Sequence, residues 1–333
     1  MNPAKAITHW IESTGAWSPW LFLVLFIGAS FLMIWRLESM SDEGFEGTVL
    51  GTLIMPYCSG MGNLIFAFVL GKNAGPGAEV MTNSLVNNIT NMTLLIGLPT
   101  ILWGMAIVPT TKSKSGKMAK THEMNRLSLL LTLTAVLFFT GATWALARDG
   151  KLDFSDGLVL VGLFLFWQCF HVFDVLKSNV RLGKSFGWMF PLDIVLLGVG
   201  SYAIYLSTDW LVNYVSKSHT GFISAKYLGW LSGWLMVLPN AVLAFYYGWR
   251  KQPEVIYTSQ VSDGHICIPL CVGVYALYRT LYVPSFFRTG IVLLVGATAL
   301  HISWVLAFGR LPRFMGWVFV GIYGYFLYTG LVR

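Results

Sequence analysis

Ten stretches of this chain are each about as long and as apolar as a lipid bilayer is thick, and this limits what the chain can fold into. They lie near 20–36, 49–71, 81–108, 127–147, 157–176, 188–206, 228–248, 255–281, 288–308 and 315–331. A helical span needs roughly 20 apolar residues. Inside lipid a backbone must satisfy its own hydrogen bonds, so only helices and closed barrels cross it. Long apolar runs without two-residue alternation select helices. Composition agrees: 56% of the 333 residues are hydrophobic and 11% are charged, where soluble domains carry about 25% charged residues. The expected fold is an all-α integral membrane protein with about ten transmembrane helices.

The third stretch is the least comfortable in lipid. Residues 80–98 read VMTNSLVNNITNMTLLIGL, with Asn83, Asn87, Asn88 and Asn91 at helical spacing. Amides are costly at bilayer depth and face a protein interior or an ion pathway. Steps of three and four residues return to one side of a helix, so Asn87, Asn88 and Asn91 share one broad face. That face reads as half of a substrate site. The Asn-x-Thr triplets starting at Asn88 and Asn91 match a glycosylation pattern, but inside a span they are unusable.

Basic residues set the expected orientation. Lys112, Lys114, Lys117, Lys120 and Arg126 crowd one connection, and Lys177, Arg181 and Lys184 another. The positive-inside rule puts both on the cytoplasmic side and both termini outside. The expected location is a plasma membrane, the inner one if the source is bacterial. Met1 to Ser18 lacks a cleavable signal pattern, and Ile7, Trp10 and Ile11 share one side of a segment that can lie on the membrane surface. Cys58, Cys169, Cys267 and Cys271 fall in apolar stretches without zinc spacing and read as buried free thiols. The net charge of +7 suits loops beside anionic lipid, and nothing points to nucleic acid.

Ten spans divide into two fives. NLIFAFVLG in the second span matches NAVLAFYYG in the seventh, so Asn63, Ala67, Phe68 and Gly71 align with Asn240, Ala244, Phe245 and Gly248. Glu79-Val80 then aligns with Glu254-Val255 after a two-residue gap. Copies five spans apart cross the membrane in opposite directions, an architecture of transporters whose site lies where the copies meet. The expected division is an N-terminal segment 1–19, a first five-helix repeat 20–176, a connecting loop 177–187 and a second five-helix repeat 188–333. Pro56 with the run Ser59–Gly62 precedes Asn63, and Pro239 precedes Asn240. Proline removes a backbone donor, so both spans are expected to be broken there, unless these are simple packing kinks.

At these residues the sequence resembles the cation/calcium exchanger superfamily, which includes the sodium/calcium exchangers. TNSLVNNITNMTLLIG is similar to that family's Gly-Asn-x-x-Gly-Ser-Asn-x-x-Asn segment: Asn83, Asn88, Asn91 and Gly97 fall on the pattern and Asn87 replaces its Ser. SGMGNLIFA sits where the family has Gly-Thr-Ser-x-Pro-Glu, which puts Gly62 on the Pro and Asn63 on the Glu. MVLPN keeps Pro239 and again has Asn for Glu, at Asn240. TSQVSDGHI keeps Ser262, puts Asp263 on an Asn position and leaves Ile266 where a ligand belongs. The resemblance implies cation antiport by alternating access, with ions held between the second, third, seventh and eighth helices.

The departures change the ion. Calcium sites collect six to eight oxygens, several from carboxylates, and here both glutamates are amides. A charge pair a few ångströms apart is worth about 4 kcal/mol at an effective dielectric of 20, so calcium binding would fall by powers of ten. Asn63, Asn87, Asn88, Asn91, Asn240, Ser262 and the one remaining carboxylate, Asp263, fit a monovalent cation such as sodium, or a proton on Asp263. Ser59 and His265 are secondary candidates, His265 reading more simply as a structural hydrogen bonder. Glu79 and Glu254 are expected to favour helix N-termini, with ion entry as the other reading. Gln168, His171 and Asp174 recur every third residue in the fifth span. They read as an interhelical hydrogen-bonding face or, for His171 and Asp174, as a proton relay or metal pair. Asp193 and His301 stand isolated. No resident metal, cofactor or enzymatic activity is expected. The partners are the lipid bilayer and a small inorganic cation; protein partners are not legible. The alternative function is a degenerate homologue that does not transport and acts as a membrane sensor or assembly partner.

Overall fold

The structure, a computed structural model, describes residues 3–42, 55–106, 116–182, 190–218 and 221–332. A short helix α1 (Pro3–Glu12) precedes α2 (Ser18–Asp42) and α3 (Met55–Lys72). The third span is α4 (Gly77–Ile89) and α5 (Leu95–Trp103), joined by a π-helical turn at Thr90–Leu94. Then come β1 (Met105–Ala106), α6 (Gly116–Leu146), β2 (Lys151–Leu152), α7 (Phe154–Leu182) and α8 (Phe190–Ser216). The second half starts with α9 (Leu228–Trp249), followed by α10 (Pro253–His265) and α11 (Val272–Tyr278) across a π-helical turn at Ile266–Cys271. It closes with β3 (Leu281–Tyr282), α12 (Phe287–Phe308), β4 (Arg310–Leu311) and α13 (Arg313–Leu327). Among the described residues eight helical segments are long and apolar enough to cross a membrane, and two shorter apolar ones lie at Gly60–Lys72 and Phe154–Phe170. The chain is an all-helical integral membrane protein. Large apolar side chains such as Phe166, Val195 and Val292 point outward, where lipid rather than water is their solvent.

The two halves exchange places in the packing. β1 pairs with β4 and β2 with β3, both antiparallel; replacing each strand by its counterpart in the other half turns one pair into the other. Likewise α5 packs on α13 and α11 on α7, while α9 packs on α4 and α3 on α10. The contacts α2 with α8 and α6 with α12 map onto themselves. Glycines set the close crossings in both copies. A Cβ on Gly316 would stand 2.6 Å from the Gly97 carbonyl oxygen, and one on Gly157 would stand 2.9 Å from that of Gly273. Small residues let helix backbones approach in this way where lipid gives no hydrophobic drive.

The matched nonapeptides occupy matched places. Tyr278, at the end of α11, lies 3.2 Å from where a Cβ on Gly71 would be and meets Phe68 edge-on at 5.9 Å. Trp103, at the end of α5, does the same to Gly248 at 2.5 Å and to Phe245 at 6.3 Å. Phe68 and Gly71 thus receive the aromatic end of one broken span, and Phe245 and Gly248 that of the other.

Three expectations need correction. First, α9 runs continuously through Pro239, and the proline that does sit in a break is Pro269; the expectation at Pro56 falls at the edge of the described residues. The breaks are the π-helical turns in the third and eighth spans, where an extra residue per turn frees backbone carbonyls; at Ile268 the backbone leaves helical geometry altogether. Second, residues 207–216, expected in a connection, continue α8, because Trp210 stacks on Phe22 of α2 at 4.4 Å and donates to Glu12 at 2.9 Å. Third, α6 starts at Gly116, inside the basic connection.

Candidate functional site

The polar side chains of the third and eighth spans meet between the two π-helical turns, with α3 and α9 each adding an asparagine. Asp263 is fully buried at the end of α10 and is the hub. Its Oδ2 accepts from Asn87 Nδ2 at 2.8 Å, Asn91 Nδ2 at 2.7 Å and Asn240 Nδ2 at 3.1 Å. Asn63 Nδ2 donates to Asn87 Oδ1 at 3.3 Å. Asn87 Nδ2 also lies 3.0 Å from Cys267 Sγ and 3.5 Å from Asn88 Oδ1. Asn88 Nδ2 turns away to the Gly264 carbonyl at 3.0 Å, bridging the two spans. A buried carboxylate survives desolvation only with donors around it, and here four asparagines arrange three of them on one oxygen.

The same pseudo-symmetry organises the cluster. Asn63 on Asn87 mirrors Asn240 on Asp263, and Asn91 on Asp263 mirrors Cys267 on Asn87. The structural register therefore pairs Asn87 with Asp263, 176 residues apart, one residue beyond the register that put Asp263 on Asn88. In the true register the counterpart of Asn91 is Cys267 and not Ile266. Ser262 is buried but is rotated by about 100° from Asp263 on its helix. His265 is buried and meets the Trp167 ring edge-on at 6.1 Å, facing α7. The side chains of Ser59, His171, Asp174 and Glu254 lie outside the described residues. Gln168 is buried, and neither of its amide atoms has a hydrogen-bond partner among the described residues.

Two amide oxygens within the cluster, Asn63 Oδ1 and Asn91 Oδ1, are buried without a hydrogen-bond partner. Each such atom costs about 1–3 kcal/mol. An Asn side chain can present oxygen or nitrogen to the same point by rotating, so the cluster can turn from donating to a carboxylate into coordinating a cation beside it. Among the described residues no three His, Cys, Asp or Glu side chains converge on a metal-sized point. The oxygens on offer are one carboxylate and several amides.

Sequence reading missed several supports of this site. His301 is buried and its Nε2 donates to the Met92 carbonyl, within the first π-helical turn, at 2.8 Å; its ring stacks on Phe319 at 4.1 Å. Arg36 and Asp193 form a buried ion pair at 3.3 Å between α2 and α8. Glu79 lies in the first turn of α4, as expected, and also reaches the N-terminus of α9, where its carboxylate accepts from the Gly229 backbone N–H at 2.5 Å. Asn83 donates to Ser232 of α9 at 3.0 Å.

The two ends of the spans that carry the cluster differ. A cavity of about 230 Å³ opens beside Pro99, Trp103, Met105, Gly248, Lys251 and Ile256. Pro99 lies roughly 12 Å beyond Asn91 and Ile256 roughly 10 Å before Asp263 at 1.5 Å per residue. At the opposite end the Tyr275 hydroxyl donates to the Gly75 carbonyl at 2.6 Å and its ring closes on Gly77.

The family model described as sodium/calcium exchanger protein matches residues 15–173. Over those residues the chain is similar to the sodium/calcium exchanger family. Solved structures of the sodium-calcium exchanger NCX_Mj share the exchanger fold along nearly the whole chain. The form soaked with 2.5 mM Na+ and 0.1 mM Sr2+ gives a TM-score of 0.61 at 18% identity, covering 94% of this chain and 97% of that one. The form soaked with 2.5 mM Na+ and 0.1 mM Ca2+ gives 0.60 at 18% identity, with 94% and 96% covered. At this identity the likeness is one of fold. No curated protein matches the chain significantly. The match to the exchanger model and the exchanger fold support a cation antiporter.

Proposed function

We propose that this protein is a secondary antiporter for a monovalent cation, sodium or a proton, working by alternating access in a plasma membrane with both termini outside. The observation that carries the reading is the convergence of three amides on the single carboxylate of Asp263, between two interrupted helices. One buried negative charge balances one positive charge. A divalent ion would leave a net charge in low dielectric, where one unpaired interaction at 4 Å is worth about 4 kcal/mol at an effective dielectric of 20. Asn63, Asn87, Asn91 and Asn240 supply amide oxygens once rotated, and Asn88 helps to hold the two spans together. Ser262 and His265 are assigned to the surroundings of the site.

Antiport follows from a shared carboxylate: two cations that both need Asp263 cannot occupy it together, so each must leave before the other binds. In a repeat-built transporter the two halves rock around such a site. The cavity at Trp103 and Lys251 is then the cytoplasmic approach, and the Tyr275–Gly75 contact closes the outer one.

Flux in proteoliposomes tests the proposal. Wild type is expected to move sodium or protons in exchange, Asp263→Asn to lose that flux, and Asn63→Ala to reduce it. Robust flux in both variants would place the site elsewhere. If no cation among sodium, potassium, calcium and protons moves or binds, the non-transporting sensor is the better reading.

A further inference from the structure

We infer that the cluster is also a site for a thiophilic divalent cation, with Cys267 as a direct ligand; this rests on the reading of the cluster as a cation site. The Asn87 amide nitrogen marks where such an ion would sit. It is a positively polarised group lying 2.8 Å from Asp263 Oδ2, 3.0 Å from Cys267 Sγ and 3.5 Å from Asn88 Oδ1. Swinging that amide aside to another rotamer withdraws the nitrogen from these acceptors. The point left behind then has carboxylate oxygen, sulfur and amide oxygen around it. The orphaned Asn91 Oδ1 belongs to the amide that already touches Asp263, and turning it inward adds another oxygen.

Symmetry strengthens the assignment. Cys267 stands at the position that Asn91 holds in the other half, so the thiol occupies a donor position of the repeat. Its neighbour one turn on, Cys271, is within hydrogen-bonding reach of the Cys267 thiol, and both are fully buried. Buried thiols are usually inert core residues, but this one touches the hub of a polar cluster.

Charge and softness select the ion. With Cys267 protonated the cluster carries one negative charge, on Asp263. A metal ion M2+ that bonds the sulfur displaces the thiol proton to solvent, so the site gains a second negative charge only as the metal enters. Asp263 and the Cys267 thiolate then neutralise M2+. Calcium and magnesium prefer hard oxygen ligands and gain little from sulfur. Zinc and cadmium bind thiolates. The same pocket therefore takes sodium or a proton through its oxygens and a zinc-like ion through oxygen and sulfur.

Cadmium added to the purified full-length protein in detergent tests this, in a Cys58→Ser/Cys169→Ser background that removes the thiols elsewhere. We expect binding of one ion with a thiolate-to-cadmium charge-transfer absorption and release of one proton. Cys267→Ser should abolish the absorption and weaken cadmium binding by at least about 100-fold, since even indirect partners of a ligand cost 10–100-fold. Cys267→Asn, which restores the counterpart of Asn91, should do the same. An unfolding temperature in detergent within a few degrees of the parent shows that the variant is folded. Unchanged cadmium binding or absorption in the Cys267 variants would overturn the inference, as would absence of cadmium binding in protein that binds sodium. Cadmium binding with the absorption but without any sodium or proton flux would uphold it and overturn the antiport reading instead.

Discussion

Asp263 and Arg36 are two buried charges with different jobs, and the difference lies in what surrounds them. Asp263 is met by neutral amides that can rotate, so its charge stays available to an ion. Asp193 is met by a guanidinium at 3.3 Å, with Arg36 also lying over the Trp35 ring at 3.4 Å. That pair is fixed. Removing one member strands the other, which costs about 3–5 kcal/mol. Asp193→Ala is therefore expected to lower the unfolding temperature in detergent strongly, while a Arg36→Met/Asp193→Leu double variant recovers much of the loss. Equal loss in both would mean that the ion pair is not what the site requires. The asparagines and Asp263 were legible in the sequence because polar residues stand out in an apolar run. Cys267 was not, because a cysteine in such a run reads as core and a one-residue error in repeat register put Ile266 in its place. Arg36 and Asp193 were not paired because 157 residues separate them and an arginine at the end of a span reads as loop.

At the scale of elements, the two π-helical turns bracket the polar cluster proposed as the cation site. They bring Asn91 and Cys267 to the middle of the bundle, and His301 holds the Met92 carbonyl within the first. Nothing in the local sequence of Thr90–Leu94 announces such a turn, whereas Pro239 announces a break that the surrounding helix absorbs. The helical, membrane-spanning character of the chain was readable from hydropathy, and the matched nonapeptides pointed to the related packing of the two halves; the break at Ile266–Cys271 contains Pro269, which went unremarked. That packing rests on glycine. Gly316→Val would push side-chain carbon into the Gly97 carbonyl, and overpacking of this kind costs about 1–3 kcal/mol. A lowered unfolding temperature is expected for Gly316→Val and for its counterpart Gly157→Val, with Gly321→Ala, on the same α13 helix in open space, near neutral. A stable Gly316→Val protein would show that the α5–α13 crossing is looser than the structure has it.

On the scale of the whole molecule the two halves are alike in path and unlike at their ends. Tyr275 reaches across to Gly75. In the register that pairs Asn87 with Asp263 the corresponding position is Pro99, which has no hydroxyl to reach across. The cavity lies on that second side. The asymmetry predicts that the approach past Tyr275 is the closed one, and Tyr275→Phe should loosen it. An impermeant thiol reagent applied outside sealed vesicles should then modify Cys267 faster than in the parent, in a background where Cys58, Cys169 and Cys271 are serine. An unchanged rate would separate the Tyr275 contact from closure.

The central claim is that one carboxylate and its surrounding amides hold a monovalent cation. Equilibrium binding of radioactive sodium to the purified protein, wild type against Asp263→Asn, tests it without requiring transport. Saturable binding of one ion per chain is expected, displaced by acid and lost in Asp263→Asn, with calcium a weak competitor. Sodium binding that survives Asp263→Asn, or calcium displacing sodium at far lower concentration than sodium itself requires, would contradict it.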